Sequence, residues 1–140
     1  MSSYDNPLVI TYSWPEHDFG AGAGAHGIQS PAGLDSCRII EIHVAVTETF
    51  TADTLAGFVR LGTAADPNRY AELQLDTTSL ITNGVGLRSD STALVNTAGY
   101  DAGIIHMAQE GITQIEVVFD SPTGGTPAGK GIVSIALGWW

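Results

Sequence analysis

"CRIIEIHVAVT", Cys37 to Thr47, decides the reading of the fold. Ile40, Ile42, Val44 and Val46 fall in one row, and Ile39, Glu41, His43, Ala45 and Thr47 fall in the other. A period of two sends successive side chains to opposite faces of an extended chain, so a half-buried strand is expected. The alternation returns twice. In Ile112 to Asp120, Thr113, Ile115, Val117 and Phe119 are expected inward, with Gln114, Glu116 and Asp120 outward. Toward the end, Val133, Ile135, Leu137 and Trp139 share one face, and Ser134, Ala136 and Gly138 the other. Shorter strands are expected at Leu8–Trp14, Leu55–Leu61, Tyr70–Leu75, Gly84–Arg88, Thr92–Val95 and Ile104–Met107.

Turn chemistry separates these strands. "DPN", Asp66 to Asn68, combines a proline that presets φ with two side chains that bond local backbone. "TNG", Thr82 to Gly84, holds the Asn-Gly hairpin signal. "SPTGGTPAGKG", Ser121 to Gly131, reads as a longer hairpin loop. Helix has two weak claims. One is a single turn around Asp76 to Leu80; the other is "DAGIIHMAQEG", Asp101 to Gly111, whose flanking glycines argue against length. Eight or nine short strands about ten residues apart imply a sandwich or barrel. The expectation is an all-β, single-domain, jelly-roll-like antiparallel β-sandwich of about 8 strands spanning 1–140.

The totals agree with one domain. A chain of 140 residues buries roughly two-thirds of its unfolded surface, enough for a core without staples. The single cysteine, Cys37, cannot bridge internally and is expected as a buried packing residue. A net charge of −10 argues against nucleic-acid partners and against an anionic bilayer surface. No apolar run is long enough to span a membrane. "MSSYDNPLVITYSW" lacks the pattern of a secretory signal, so synthesis and use in the host cytoplasm are expected.

Two glycine patterns imitate phosphate loops. Gly22 to Gly27, within "FGAGAGAHG", fits G-x-G-x-x-G. A dinucleotide loop follows a strand directly and opens a helix, whereas "IQSPAGLD" follows here, with Pro31 and Gly33. Gly124 to Lys130, "GGTPAGK", fits G-x-x-x-x-G-K, but Gly131 stands where a Ser or Thr would hold magnesium. Lys130 is expected as an exposed charge. The Gly/Ala run has little side-chain area to bury and much backbone freedom to lose. Residues 15–36 are therefore expected as a Gly-rich loop or arm, either mobile or ordered against a neighbouring subunit. Phe19, Gly22, Gly24 and His26 are its candidate interface residues.

No catalytic constellation emerges, and no enzyme and no cofactor are expected. His17, Asp18 and His26 are the only metal grouping to weigh, and no ligand-spacing motif accompanies them. Glu41 and His43 stand two apart on one strand face, which suits a solvated or interfacial pair better than a general base with its orienter. Alternation places Trp139 in the core and Trp140 on the other side, as a lid on the sandwich or an interface anchor. Ile39 is expected outward, also at an interface.

A family resemblance follows from particular phrases. The connection "TETFTADT", Thr47 to Thr54, leads into "VRLGTAADPNRYAEL", Val59 to Leu73. The phrase "GTAADPNRY", Gly62 to Tyr70, resembles one found between two strands in small β-sandwich structural proteins of tailed-phage virions. The aromatic terminal strand is similar too. The resemblance covers Arg38 to Leu75 and the last ten residues, and carries no catalytic residues. Within that group the chain looks most like a head decoration, or cement, protein. The resemblance implies a virion location on the capsid surface, the major capsid protein as partner, and a homotrimer. A receptor- or carbohydrate-binding domain of a tail fibre stays open as the alternative.

Overall fold

The stretch that decided the reading lies inside the longest strand of a computed structural model, which describes residues 6–51, 54–55, 57–75, 86–87, 94–95, 104–106 and 114–140. In chain order the strands are β1 (Leu8–Ser13), β2 (His17–Asp18), β3 (Gly24–Gln29), β4 (Ser36–Thr51), β5 (Phe58–Gly62) and β6 (Ala71–Gln74). They continue as β7 (Gly86–Leu87), β8 (Leu94–Val95), β9 (Ile104–His106), β10 (Gln114–Asp120) and β11 (Ala128–Trp139). One sheet runs β1-β11-β4-β7, with β2 also on β11 and β9 also on β4; the other runs β3-β10-β5-β6-β8.

With β2, β8 and β9 set aside, eight strands remain in a nested order, the two-residue β7 among them. The first pairs with the last (β1 with β11), the second with the seventh (β3 with β10), the third with the sixth (β4 with β7), and the middle two with each other (β5 with β6). That is a long antiparallel hairpin rolled into two facing sheets, the jelly roll.

The core lies between the sheets. Ile42, Val44 and Val46 from β4 and Val133, Ile135 and Leu137 from β11 are all buried. Val59, Leu61, Ile115 and Val117 face them from the second sheet. Full burial of each such side chain stabilises by roughly 1.5–3 kcal/mol. Trp139 is fully buried, and its Nε1 donates to Tyr12 Oη at 3.1 Å. The indole thus keeps its donor satisfied inside an apolar core. Cys37 is buried as expected, and burial pushes its thiol pKa up to about 12.

The phrase "GTAADPNRY" builds the β5–β6 connection. Thr63 Oγ1 accepts from the Asp66 N–H at 3.0 Å, and the Asp66 carbonyl accepts from the Thr63 and Arg69 N–H groups at 2.9 and 3.2 Å. Gly62 lies directly under this turn, where a Cβ would overlap Asp66 O and Pro67. The phrase therefore has a structural account.

Three expectations need correction. Ile40 was expected inward but is 37% exposed, whereas Ile39 packs against the core. The register explains this: Ala136 faces Glu41 and Leu137 faces Ile39, so Ile40 is one residue too many on β4. Such a bulge reverses the phase of alternation on its two sides. Second, 15–36 is not a free arm. His17–Asp18 pairs with β11 and Gly24–Gln29 pairs with β10, while Phe19 and Ile28 are buried in the core. Those two apolar anchors outweigh the poor strand propensity of Gly and Ala. Third, 121–131 is not a hairpin loop, because β10 and β11 belong to different sheets and β11 already begins at Ala128. Ile104–His106 is strand, in line with the short strand expected at Ile104–Met107 and against the helical reading of "DAGIIHMAQEG". The expected turn at Asp76–Leu80 and the "TNG" hairpin lie outside the described residues.

Candidate functional site

The outer face of the β1-β11-β4 sheet carries side chains that the fold itself does not use. Cross-strand pairing sets them in rows. Thr11, Ala136 and Glu41 form one row; Ser13, Ser134 and His43 form the next. The central strand contributes only small residues, Ala136 and Ser134, while Glu41 and His43 rise on one side. The result is a shallow depression of about 200 Å³ lined by Thr11, Glu41, His43, Ser134 and Ala136. Ser13 Oγ and Ser134 Oγ lie 2.9 Å apart at its edge. Among the described residues, Glu41 and His43 make no hydrogen bond or ion pair with each other. The groove offers hydroxyl, carboxylate and imidazole groups to a hydrogen-bonding partner.

Apolar side chains close the groove at both ends. Toward one end of β11, Pro7 and Ile40 lie over Gly138: a Cβ there would sit 2.9 Å from Pro7 Cγ and 3.3 Å from Ile40 Cδ1. Val9, opposite Gly138, is 54% exposed. Toward the other end, Ile132 is 37% exposed on the same strand face as Ser134. Three large aliphatic side chains are thus exposed on one face, around a groove that carries one carboxylate and one imidazole.

The opposite outer face, on the β3-β10-β5-β6 sheet, is internally bonded. Arg60 Nε donates to Glu72 Oε2 at 2.6 Å, and Arg60 Nη1 donates to Asp120 Oδ2 at 2.5 Å. Its guanidinium also lies 4.5 Å from the centre of the Phe58 ring. Burial alone would lower the Arg60 pKa, but hydrogen bonds and charge from Glu72 and Asp120 outweigh it and hold the pKa above its ordinary value. Gln29 Nε2 donates to Gln114 Oε1 at 2.8 Å.

The weighed metal grouping is engaged otherwise. His17 Nε2 is 2.8 Å from Gly22 O, and Asp18 Oδ1 accepts the Ala21 N–H at 3.1 Å. His26 stacks on Trp14 with ring centres 5.2 Å apart and lies 4.9 Å from Phe119. Together these rings close the side of the sandwich where β1 leads into β3. Among the described residues no group of three or more His, Cys, Asp and Glu converges on a metal position.

The remaining candidate interface residues are spread out. Phe19 is fully buried, and Ile39 is partly buried against the core. Gly22 has open space around its Cα, and Gly24 lies against the His17 ring. Trp140 is half-buried, and its backbone ties the chain end to the start of β4 through Ser36 and Asp35. Lys130 pairs with Glu48 at 3.6 Å. Sequence reasoning singled out Glu41 and His43 but missed Val9, Thr11, Ser134 and Ile132. Their shared face is set by strand order, which no local pattern encodes.

These features define a jelly-roll-like sandwich with one outer face bonded through Arg60, Glu72 and Asp120 and the other carrying the groove of Thr11, Glu41, His43, Ser134 and Ala136. Comparison with protein-family models, with curated proteins and with solved structures found no match.

Proposed function

We propose that the chain is a virion structural protein, a decoration or cement protein that binds the assembled head of a tailed phage and stabilises it. Its partner would be the major capsid protein, and its docking surface the outer face of the β1-β11-β4 sheet. One observation carries the reading: Val9, Ile40 and Ile132 are exposed on that face, while the opposite face is bonded to itself through Arg60, Glu72 and Asp120. The jelly-roll order and the resemblance of "GTAADPNRY" to virion proteins support the class by analogy. Binding only to the assembled shell stabilises that shell by mass action, and many copies along it add avidity.

The test uses purified protein and heads of the cognate phage lacking it. Stoichiometric co-sedimentation with heads is expected, together with a higher disruption temperature, and no retention by unassembled capsid subunits. Heads that sediment without the protein would count against the proposal.

The groove favours one other reading, a carbohydrate- or receptor-binding domain of a tail fibre. Thr11, Ser134, Glu41 and His43 present hydroxyl, carboxylate and imidazole groups together, as a sugar ligand requires. A glycan-array signal that disappears in His43→Ala would move the assignment there.

A further inference from the structure

β1 is the end strand of its sheet: β11 pairs with one of its edges, and no described strand pairs with the other. Native proteins blunt such edges with charge, proline or bulges. The six residues of β1, "LVITYS", contain neither charge nor proline, in a chain of net charge −10. The orientation of its backbone groups follows from one hydrogen bond. Trp14 N–H donates to Val133 O at 3.2 Å, so residue 14 faces β11. Alternation then turns Tyr12, Ile10 and Leu8 toward β11, and turns the N–H and C=O groups of Ser13, Thr11 and Val9 toward the open edge.

That row is symmetric. Pro7 and Pro15, which have no N–H, stand two residues beyond its two ends, and Thr11 is midway between them. An antiparallel partner strand centred on Thr11 finds donors and acceptors at Val9, Thr11 and Ser13, and then meets proline at either side. The same strand from another copy matches this register, because the row reads the same from either end.

We infer that β1 pairs antiparallel with β1 of a second copy, about a two-fold axis at Thr11. Each Thr11 exchanges both backbone hydrogen bonds with Thr11 of the second copy, and Val9 does the same with Ser13 of the second copy. On the outer face Thr11 meets Thr11, a favourable cross-strand pair. On the inner side Ile10 meets Tyr12, and both are already partly packed on the core. The prolines exclude longer registers and so fix this one. The pairing joins the two β1-β11-β4 outer faces into one surface and brings two grooves beside the axis. It is two-fold, so it replaces the homotrimer that the resemblance implies. It rests on the edge alone and holds whether or not the partner is a capsid.

The test is the solution mass of the full chain by light scattering after size exclusion, at moderate salt so that repulsion between the acidic copies is screened. Two chain masses are expected. Thr11→Pro takes the N–H from the open edge and touches no hydrogen bond to β11, so the variant should still fold, with a circular-dichroism spectrum like that of the unaltered protein, and its mass should fall to one chain. Cysteine pairs then read the register. Opposed hydrogen-bonded residues have Cα atoms about 5.5 Å apart, within disulfide reach. Thr11→Cys should therefore oxidise to a covalent dimer. Val9→Cys should do so only when mixed with Ser13→Cys. A mass of one or three chains for the unaltered protein would overturn the inference, as would a folded Thr11→Pro variant that keeps two.

Discussion

The two outer faces of the sandwich are made from the same kind of strand and behave as opposites. On the β3-β10-β5-β6 face, Arg60 reaches both Glu72 and Asp120, and Gln29 reaches Gln114. On the β1-β11-β4 face, Glu41 and His43 stand over small residues, and Val9, Ile40 and Ile132 are exposed. A polar group already bonded within its own sheet gains little by meeting a partner. Glu41, His43 and the exposed aliphatic side chains would gain both hydrogen bonds and apolar burial on meeting a partner. On the proposed function, the first face serves stability and the second serves recognition.

Substitutions should separate these roles. Arg60→Met leaves the Glu72 and Asp120 carboxylates without their shared cation. The Asp120 side chain is more than a third exposed, so solvent screens part of the loss; a destabilisation of about 1–3 kcal/mol is expected in urea unfolding. A smaller effect, about 0.5–1 kcal/mol, is expected for Gln114→Ala, which removes one exposed hydrogen bond. Smallest should be His43→Ala on the other face, within about 0.5 kcal/mol of the unaltered protein. If His43→Ala proved as destabilising as Arg60→Met, the groove would be structural and the contrast between the faces would fail.

Much of the sandwich was legible because burial in a two-layer sheet protein writes a period of two into the chain. Ile115, Val117 and Phe119, and Val133 to Trp139, show that period without interruption, and their faces matched the structure. The phase slip at Ile40 was not legible, because an extra residue in a bulge looks locally like any other apolar residue. Neither was the ordering of 15–36. Composition weighs Gly and Ala across the whole segment, whereas Phe19 and Ile28 decide it by entering a core that other strands build. The candidate site was half legible. Glu41 and His43 share a strand and announced themselves. Thr11 and Ser134 are separated by most of the chain and meet only because the first strand pairs with the last.

The most direct test of the central contrast places one lysine on each face. Ile132→Lys and Gln74→Lys change the charge equally, and both positions are solvent-exposed. Co-sedimentation of the two variants with assembled heads should show Gln74→Lys bound like the unaltered protein and Ile132→Lys left in the supernatant, with both melting as the unaltered protein does. Equal binding by both variants, or loss only with Gln74→Lys, would contradict the assignment of recognition to the β1-β11-β4 face.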